Sequence, residues 1–507
     1  MSRVLENTGN LRPALSRRGL FLSFLVPLLI VAVFFALSPE FLHWFLLPVY
    51  ACGVLIFSEF FRWNSRQLMV FHPAGLISIV GVFFFFMNPL LHVYWGSWMK
   101  YVMPPPDWRP WLGGMAILNA LGLVAYISTF GFFQKLIKHR LQRNRWTIDR
   151  RRFLFLLVIG MAISLFLQIR VFRQFGGISG YINSFSSNTT AYSGMGIVFV
   201  FSESLPILLF AFIITIMSGR GVLKNPVVLI GLTGSILFLQ FLFGGLRGSR
   251  GNTLYVAFWL AGIVHYYVRP IKGKKILVGA LVAFSFIYLY GFYKSLGADA
   301  FLMLSEKGIK EISILEDRSG RDWRSTLLGD FGRSDVQAYL VYRTWDFPGD
   351  YRYGWGRIYL EDLSFLVPLS VWADRPLGKI LWGTDLLRGY GAWSPKPGGQ
   401  AQNAYGLAGE ATLNFGPYSV PFTFILLGFA VVMISGALIN IKDSLVRILC
   451  VPLLIEACLW LLLWDFGNIV YFLIQHLGFL GIILLLSLRR IRGRIVKIPL
   501  IKLHQAG

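Results

Sequence analysis

Two arginines stand three residues apart in a glycine-rich stretch, GGLRGSRGN, between two long apolar segments. They are Arg247 and Arg250. A guanidinium group stays charged and matches phosphate oxygens with bidentate geometry, and neighbouring glycines let the backbone approach a ligand closely. The pattern favours a site for a phosphate-containing group, with Arg173 as a candidate to complete it. The alternative is a pair of arginines that reach lipid headgroups.

Two carboxylic acids, Glu203 and Glu456, fall inside apolar segments. An ionised side chain inside a membrane costs several kcal/mol unless it is paired or hydrated. Both are therefore functional candidates, with a neutral or salt-bridged packing residue as the alternative. Glu203 is followed by Pro206 and lies nearer the end of its segment, so we expect it to line a cavity.

One long polar stretch, Lys294 to Gly416, contains 15 of the 24 acidic residues and 14 Lys or Arg, in a chain of net charge +24. It also contains six tryptophans, whose rings suit the faces of sugars or an interfacial aromatic belt. These are Trp323, Trp345, Trp355, Trp372, Trp382 and Trp393. Within it, the apolar run 358–372 is too short to span a bilayer and is broken by Pro368. We expect an amphipathic or re-entrant element there.

The elements that would position these residues are membrane helices, because a helix needs about 20 apolar residues to cross the ~30 Å hydrocarbon layer. Twelve segments qualify, so the predicted fold is an all-α polytopic membrane protein with about 12 transmembrane helices. Their ranges are 20–37, 40–60, 74–93, 111–134, 153–172, 197–217, 226–245, 252–268, 275–293, 417–440, 448–464 and 467–488. An even number of segments places both termini on one side.

The orientation follows from the positive-inside rule, since short loops rich in Lys and Arg stay in the cytoplasm. Alternate loops and the two ends carry 28 basic residues, whereas the short loops of the other set carry six. The sequence therefore predicts cytoplasmic termini and a large periplasmic loop. The predicted divisions are 1–293 with helices 1–9, the loop 294–416 with short helices that form part of the site, and 417–507 with helices 10–12 and a basic tail.

Composition restricts the cofactors and partners. The pI of about 10.1 is explained by basic residues that face an anionic cytoplasmic leaflet, so no nucleic-acid partner is expected. All three cysteines lie in apolar segments, and none of the seven histidines lies in the long loop, which argues against a disulfide framework or a His-ligated metal there. We expect no required cofactor, although the acidic loop is compatible with a divalent metal.

Four stretches together resemble the O-antigen polymerase family, the Wzy-type oligosaccharide repeat-unit polymerases. They are FGGISGYI, GSRGN, YGWGRIYLEDLSFLVPLSVWADRP and GEATLNFGPYSVPFTFILLG, in that order between residues 170 and 430. The resemblance implies a GT-C-like glycosyltransferase of the bacterial inner membrane with a periplasmic active site. It would transfer a growing glycan from undecaprenyl diphosphate to the next lipid-linked repeat unit, among membrane lipids and with a chain-length regulator as a possible partner.

The resemblance also suggests roles for individual residues. Arg247 and Arg250 would bind the diphosphate, with Arg388 as a third cation, because fixed cations stabilise the charge of the leaving group. Glu410 would be the general base for the incoming hydroxyl, and Asn414 would orient it. Asp385 is the alternative general base. A cap or salt bridge at the start of a helix is the alternative for Glu410.

Three other functions remain open: an O-antigen ligase, a lipid-linked oligosaccharide flippase or transporter, and an interaction protein that scaffolds a polysaccharide export complex. O-antigen ligases resemble the same architecture but use a histidine in the loop, which this chain lacks, so the polymerase is favoured. A lipid-linked oligosaccharide flippase or transporter would use Glu203 and Glu456 for coupling ions. It would be expected to show internal repeats and short outer loops, and the sequence shows neither.

Overall fold

The computed structural model describes most of the 507 residues. The described ranges are 14–64, 71–99, 102–140, 146–187, 192, 195–217, 222, 225–265, 271, 273–297, 300, 303, 312–367, 371–394, 403–440 and 444–490. Pro368, at which the sequence predicts a break, lies outside them, as do both chain ends.

The first eleven helices belong to the part of the chain before the long loop. They are α1 (Arg17–Leu37), α2 (Leu46–Asn64), α3 (Pro73–Gly81, a π-turn at Val82–Met87, and Asn88–Trp95), α4 (Arg109–Arg140), α5 (Arg150–Gln174), α6 (Gly177–Ser187), α7 (Gly196–Ser202), α8 (Leu205–Met217), α9 (Pro226–Gln240, with a π-turn at Phe241–Gly245), α10 (Arg250–Ile263) and α11 (Gly273–Leu296).

The remaining helices form the loop and the last part of the bundle. They are α12 (Ile312–Ser319), α13 (Trp323–Phe331), α14 (Ser334–Asp346), α15 (Arg357–Leu363), α16 (Lys379–Arg388), α17 (Gly406–Phe415), α18 (Val420–Asn440), α19 (Ser444–Leu463), α20 (Phe466–Phe472, with a π-turn at Leu473–Leu477) and α21 (Gly478–Ser487). Single 3-10 turns lie at Pro39–Phe41, Ser364–Leu366 and Pro417–Ser419. Two short strands, β1 (Trp146–Ile148) and β2 (Leu488–Arg490), pair antiparallel.

Most of the described residues are helical and only six of them lie in strands, which confirms the predicted all-α class. Among them ten helices, not twelve, are long and apolar enough to cross a membrane. The predicted segment 252–268 is represented by α10, which continues as a π-turn at 264–265, and residues 266–268 lie outside the described residues. The predicted segment 448–464 lies in α19, where the shorter stretch Pro452–Leu463 is apolar.

The helices α10 and α19 lie inside the bundle and pack against each other. Trp259 of α10 is fully buried, and its Nε1 donates to the carbonyl of Leu449 at 3.0 Å. The helices meet where Gly262 faces Pro452, since a Cβ on Gly262 would lie 2.7 Å from the proline ring. Protein rather than lipid therefore surrounds much of this helix pair.

The helix α19 also separates two apolar cores. Its residues Cys458 and Leu462 belong to a core formed with α1–α4 and α18. Its residues Leu449 and Leu453 belong to a second core formed with α5, α8, α10 and α21. The bundle consequently consists of two lobes that share one central helix.

At one end of the bundle, which we call the loop-bearing face, α12–α17 cover the ends of the long helices. Helix α14 is buried along most of its length and packs on α4, where Gly114 makes room for Trp345. Asn119 of α4 donates to the side chain of Gln337 in α14 at 3.4 Å. Asn119 lies ten residues after Arg109, the first residue of α4, which is about 15 Å along the helix. The loop is thus partly inserted between helices rather than being a separate domain.

The predicted amphipathic run is helix α15 followed by a 3-10 turn. Its Leu360 and Leu366 side chains are 70% and 53% exposed, whereas Ile358 and Asp362 are fully buried. The helix therefore presents leucines outward and packs its acidic side against the protein. At the opposite face of the bundle, β1 and β2 join the start of α5 to the end of α21.

Candidate functional site

A cavity of about 470 Å³ lies at the loop-bearing face, between the long loop and the ends of α3, α10 and α11. Its described lining contains four Lys or Arg side chains, two aspartates and one histidine. These are Arg250, Lys294, Arg321, Arg333, Asp330, Asp335 and His92. With the histidine neutral, four cations against two carboxylates give the lining a charge of +2, which favours an anionic ligand.

Arg250 is the first residue of α10 and is held by a carboxylate of the loop. Its Nη1 lies 2.6 Å from Oδ2 of Asp330, and its Nη2 contacts Oδ1 of the same residue. Arg321 approaches Asp330 Oδ2 from the side at 3.7 Å. One aspartate thus holds two guanidinium groups side by side at the cavity wall.

Arg333 supplies a buried cation that backbone carbonyls stabilise. Its Nη1 donates to the carbonyl of Gly329 at 2.7 Å and also contacts the carbonyl of Gly332. Its Nε has no hydrogen-bond partner, and the guanidinium lies 5.7 Å from the ring of Trp464. The residue is only 5% exposed, so its charge is fixed at the cavity.

His92 and Asp335 form the wall at the end of α3. The Nδ1 atom of His92 lies 2.7 Å from the carbonyl oxygen of Ser97, and its Nε2 lies 4.0 Å from Oδ1 of Asp335 without a hydrogen bond. One turn earlier, Asn88 donates to the carbonyl of Leu328 at 3.3 Å and accepts from the amide of Ser334 at 3.2 Å. Asn88 therefore fixes the α13–α14 junction above His92.

Arg247 lies outside the described lining of this cavity and is paired within the protein. Its guanidinium contacts both carboxylate oxygens of Glu203, one of them at 3.2 Å, and the hydroxyl of Tyr471 at 3.3 Å. Glu203 also accepts from Asn252 at 2.8 Å and Gln475 at 2.7 Å. The two arginines of GGLRGSRGN thus separate: Arg250 faces the cavity, whereas Arg247 and Glu203 form a buried ion pair.

Glu410 belongs to a different cluster, behind the cavity wall. It is 3% exposed; its Oε2 accepts from the amide of Phe466 at 2.7 Å, and its Oε1 has no partner. Asp362 accepts from the amides of Lys379 at 3.3 Å and Gly467 at 3.1 Å. Asp465 contacts the Lys379 ammonium and accepts from the amides of Tyr405 and Gly406 at the start of α17. We call Asp362, Glu410, Asp465 and Lys379 the acid cluster.

Three carboxyl groups share one ammonium group in the acid cluster, and their protonation reflects this. Burial raises the pKa of Asp362 to about 6, an effect that the Lys379 charge partly offsets. Burial and the neighbouring carboxylates Asp465 and Asp362 raise the pKa of Glu410 well above its usual value. The cluster therefore holds protons at a pH where exposed carboxylates would have lost them.

Asn414 bonds the backbone of Glu410. Its Nδ2 donates to the backbone carbonyl of Glu410 at 3.1 Å, and its Oδ1 accepts from the amide of Gly356 at 3.1 Å. Its own carbonyl accepts from the amide of Trp355 at 2.7 Å. Trp355 has a φ of 49°, a left-handed conformation that is strained for a bulky residue. Asn414 thus stabilises a strained turn in the YGWGR stretch.

The other predicted site residues lie apart from the cavity lining. Asp385 is buried in α16, accepts from the amide of Gly391 at 3.2 Å, and has a pKa raised by burial. Arg388, at the end of the same helix, and Arg173, near the end of α5, are exposed. Of the predicted residues, the structure places only Arg250 among the described residues that line the cavity.

Sequence reasoning missed His92, Asp330, Asp335, Lys294, Arg321 and Arg333 as residues of one cavity. They come from α3, α11 and the loop helices, so no short motif connects them. Only the i, i+4 spacing of Asn88 and His92 in NPLLH placed two polar side chains on one helical face. Among the described residues, no group of three His, Cys, Asp or Glu is arranged to hold a metal ion.

The fold and the site define a multi-pass, all-α membrane protein with a cationic cavity at one face. Comparison with models of protein families, with curated proteins and with solved structures gives no match. The resemblance to O-antigen polymerases consequently rests on the four sequence stretches alone.

Proposed function

We propose that this protein is an integral-membrane glycosyltransferase that extends a polysaccharide by transferring the growing glycan from a lipid diphosphate to the next lipid-linked repeat unit. The observation that carries the proposal is the cavity lined by Arg250, Lys294, Arg321 and Arg333 at the ends of membrane helices. A diphosphate at that level would leave its isoprenoid chain within the bilayer.

The chemistry requires cations at one position. Cleavage of the bond between the sugar C1 and the phosphate oxygen leaves negative charge on the diphosphate, and preorganised cations lower that barrier. Arg250 already has its bidentate geometry fixed by Asp330. Lys294 lines the same cavity from the end of α11, and Trp98 and Trp464 supply aromatic faces for sugar rings.

The remaining parts of this proposal come from the sequence. They are the GT-C-like fold, the bacterial inner membrane with cytoplasmic termini and a periplasmic loop-bearing face, undecaprenyl diphosphate as the carrier, and a chain-length regulator as partner. Membrane lipids surround the exposed apolar side chains of the long helices, such as Leu281 and Phe422. Nothing in the proposed reaction requires a metal.

Two alternatives make different use of the same residues. In a ligase the cavity would serve glycan transfer to another acceptor, and because His92 lies in the cavity, the lack of a loop histidine no longer separates ligase from polymerase. In a flippase Glu203 would bind a coupling ion, but Glu203 is already paired with Arg247. Glu456 is buried with one oxygen unpartnered, which is the observation that favours this alternative.

The test is the length distribution of lipid-linked and surface glycans after deletion of the gene and its restoration. We expect the deletion to accumulate single repeat units and the wild-type gene to restore long chains. Arg250→Lys keeps the charge but loses bidentate contact, so we expect it to restore little chain growth. Arg352→Lys, in an exposed loop position, is the matched control.

Each other outcome favours a different function. Long chains retained on the lipid carrier after deletion would indicate a ligase. Repeat units confined to the cytoplasmic leaflet would indicate a flippase. Normal chain growth with Arg250→Lys would remove this arginine from the diphosphate site.

A further inference from the structure

We propose that His92 and Asp335 form the acid–base pair that takes the proton from the acceptor hydroxyl, an inference that rests on the proposed glycosyl transfer. Both residues line the cationic cavity. Neither was singled out by the sequence motifs, and Glu410, the base that the motifs suggest, is outside the described lining.

The hydrogen bonds of His92 determine which nitrogen can accept a proton. Ser97 presents a carbonyl oxygen, which can only accept, at 2.7 Å from Nδ1, so Nδ1 carries a hydrogen. In the neutral ring, Nε2 then has a lone pair. This atom is buried and has no hydrogen-bond partner in the described structure. A buried acceptor without a donor is costly, so its position favours a ligand that donates.

Asp335 supplies a second acceptor at the same place. Its Oδ1 lies 4.0 Å from Nε2 of His92, too far for a hydrogen bond between them. A hydroxyl group has one hydrogen, so it donates to Nε2 while its oxygen lies beside the Asp335 carboxylate. The pair thus forms a receptor for one hydroxyl group at the wall of a cavity whose other lining residues suit a diphosphate.

The positions of both residues are fixed by the protein. Asn88 bonds Leu328 and Ser334 on either side of the α13–α14 junction, one residue before Asp335. The ring of Trp108 contacts His92 edge-on, with centroids 6.3 Å apart. The charged side chains that face the pair across the cavity are Asp330, Arg250, Lys294, Arg321 and Arg333.

Glycosyl transfer at this site exchanges one C–O bond at C1 of the donor sugar for another. The acceptor oxygen forms a bond to C1 of the donor sugar as its proton moves to Nε2 of His92. The C1–O bond to phosphate breaks, and its electron pair leaves on the lipid diphosphate, beside Arg250 and Arg321. Asp335 stabilises the imidazolium, which then returns its proton to the released diphosphate or to water.

The experiment uses purified protein in lipid nanodiscs. Binding is measured with farnesyl diphosphate by quenching of tryptophan fluorescence, and elongation with lipid-linked repeat units extracted from the deletion strain. His92→Gln should bind the probe within about twofold of wild type but elongate about 100-fold more slowly or worse, the usual contribution of a general base. His43→Gln, outside the described cavity lining, is the matched control.

The pH profile separates catalysis from a structural role. Wild-type elongation should fall at acid pH as the pair takes up a proton, and His92→Gln should lose this dependence. Asp335→Asn removes the carboxylate that stabilises the imidazolium, so the acid limb should move to lower pH. An unchanged acid limb in Asp335→Asn would overturn the pair, even where His92→Gln is unstable.

Failure of the inference and failure of the proposed function give different results. Wild-type protein that neither binds farnesyl diphosphate nor elongates would overturn the proposed function. Wild-type protein that does both, together with His92→Gln that elongates normally with the wild-type pH profile, would overturn only the role of His92.

Discussion

At the scale of single residues, Arg247 and Arg250 show that identical side chains three positions apart can have different roles. Arg247 has a side chain 14% exposed and bonds a carboxylate that is 3% exposed. Arg250 is 25% exposed and lines the cavity. Arg247 therefore contributes to stability, whereas the guanidinium of Arg250 is available to an anionic ligand that competes with Asp330 for it.

This difference predicts opposite effects of alanine substitutions. Arg247→Ala leaves Glu203 buried and unpaired, which costs about 3–5 kcal/mol for a broken buried pair. We expect a large fall in thermal stability, partly recovered by adding Glu203→Gln. Arg250→Ala should change the unfolding temperature little and abolish chain growth. Thermal unfolding in detergent and glycan length measure the two effects; a stable Arg247→Ala protein would contradict the assignment.

The acid cluster predicts a dependence of stability on pH. The pKa of Asp362 is raised from 3.8 to about 6, and that of Glu410 is raised as well. Because the folded state holds these protons more tightly than the unfolded state, the stabilisation is complete below pH about 3.8 and is lost as pH rises through about 6. The thermal midpoint should therefore be higher at pH 5 than at pH 8.

Glu410→Gln tests this directly, since an amide resembles the protonated carboxyl group. We expect the variant to unfold at a higher temperature than wild type at pH 8 and to show a weaker pH dependence. Asp374→Asn, an exposed acid in the loop, is the control. Loss of chain growth in a stable Glu410→Gln protein would return Glu410 to a catalytic role.

At the scale of elements, the end of α3 and the α13–α14 junction fit together through one glycine. A Cβ on Gly332 would lie 2.0 Å from Nδ2 of Asn88, whereas a Cβ on Gly329 would have nothing within 4 Å. Gly332 therefore lets Asn88 reach the backbone of the junction. The close approach sets the height of the loop above His92.

We expect Gly332→Ala to displace the junction, because overpacking costs about 1–3 kcal/mol when backbone must move. Chain growth should fall even where the protein still folds, since His92 and Asp335 would move apart. Gly329→Ala, which gains helix propensity without a clash, should be neutral or slightly stabilising. Glycan length and thermal unfolding of the two variants provide the comparison, and equal behaviour would refute the packing argument.

The elements also show what the sequence could predict. Hydropathy over long windows identifies membrane helices because lipid imposes one requirement on the whole segment. Hydropathy does not distinguish a helix buried in protein, such as α10, from a helix that faces lipid. Most of the cavity residues could not be predicted from the sequence, because they are brought together only by the packing of α3, α10, α11 and the loop. Arg250 could be predicted as a site residue because it lies in the glycine-rich stretch GGLRGSRGN.

At the scale of the whole molecule, contacts between distant loops divide the bundle into two faces. At the loop-bearing face, Arg109 reaches the carbonyl of Glu40 at 3.4 Å, and Lys379 contacts Asp465. At the opposite face, Thr147 pairs with Arg489. Among the described residues, loops predicted to be periplasmic thus contact one another, and two segments predicted to be cytoplasmic pair with each other.

This arrangement predicts the accessibility of single cysteines in intact cells. With the three native cysteines replaced, Asp350→Cys on the loop-bearing face should react with a membrane-impermeant maleimide added outside. Thr147→Cys in β1 should react only after the inner membrane is permeabilised, because the positive-inside rule places that end in the cytoplasm. The reverse pattern would place the cationic cavity in the cytoplasm, where a donor carried by an outward-facing lipid could not reach it.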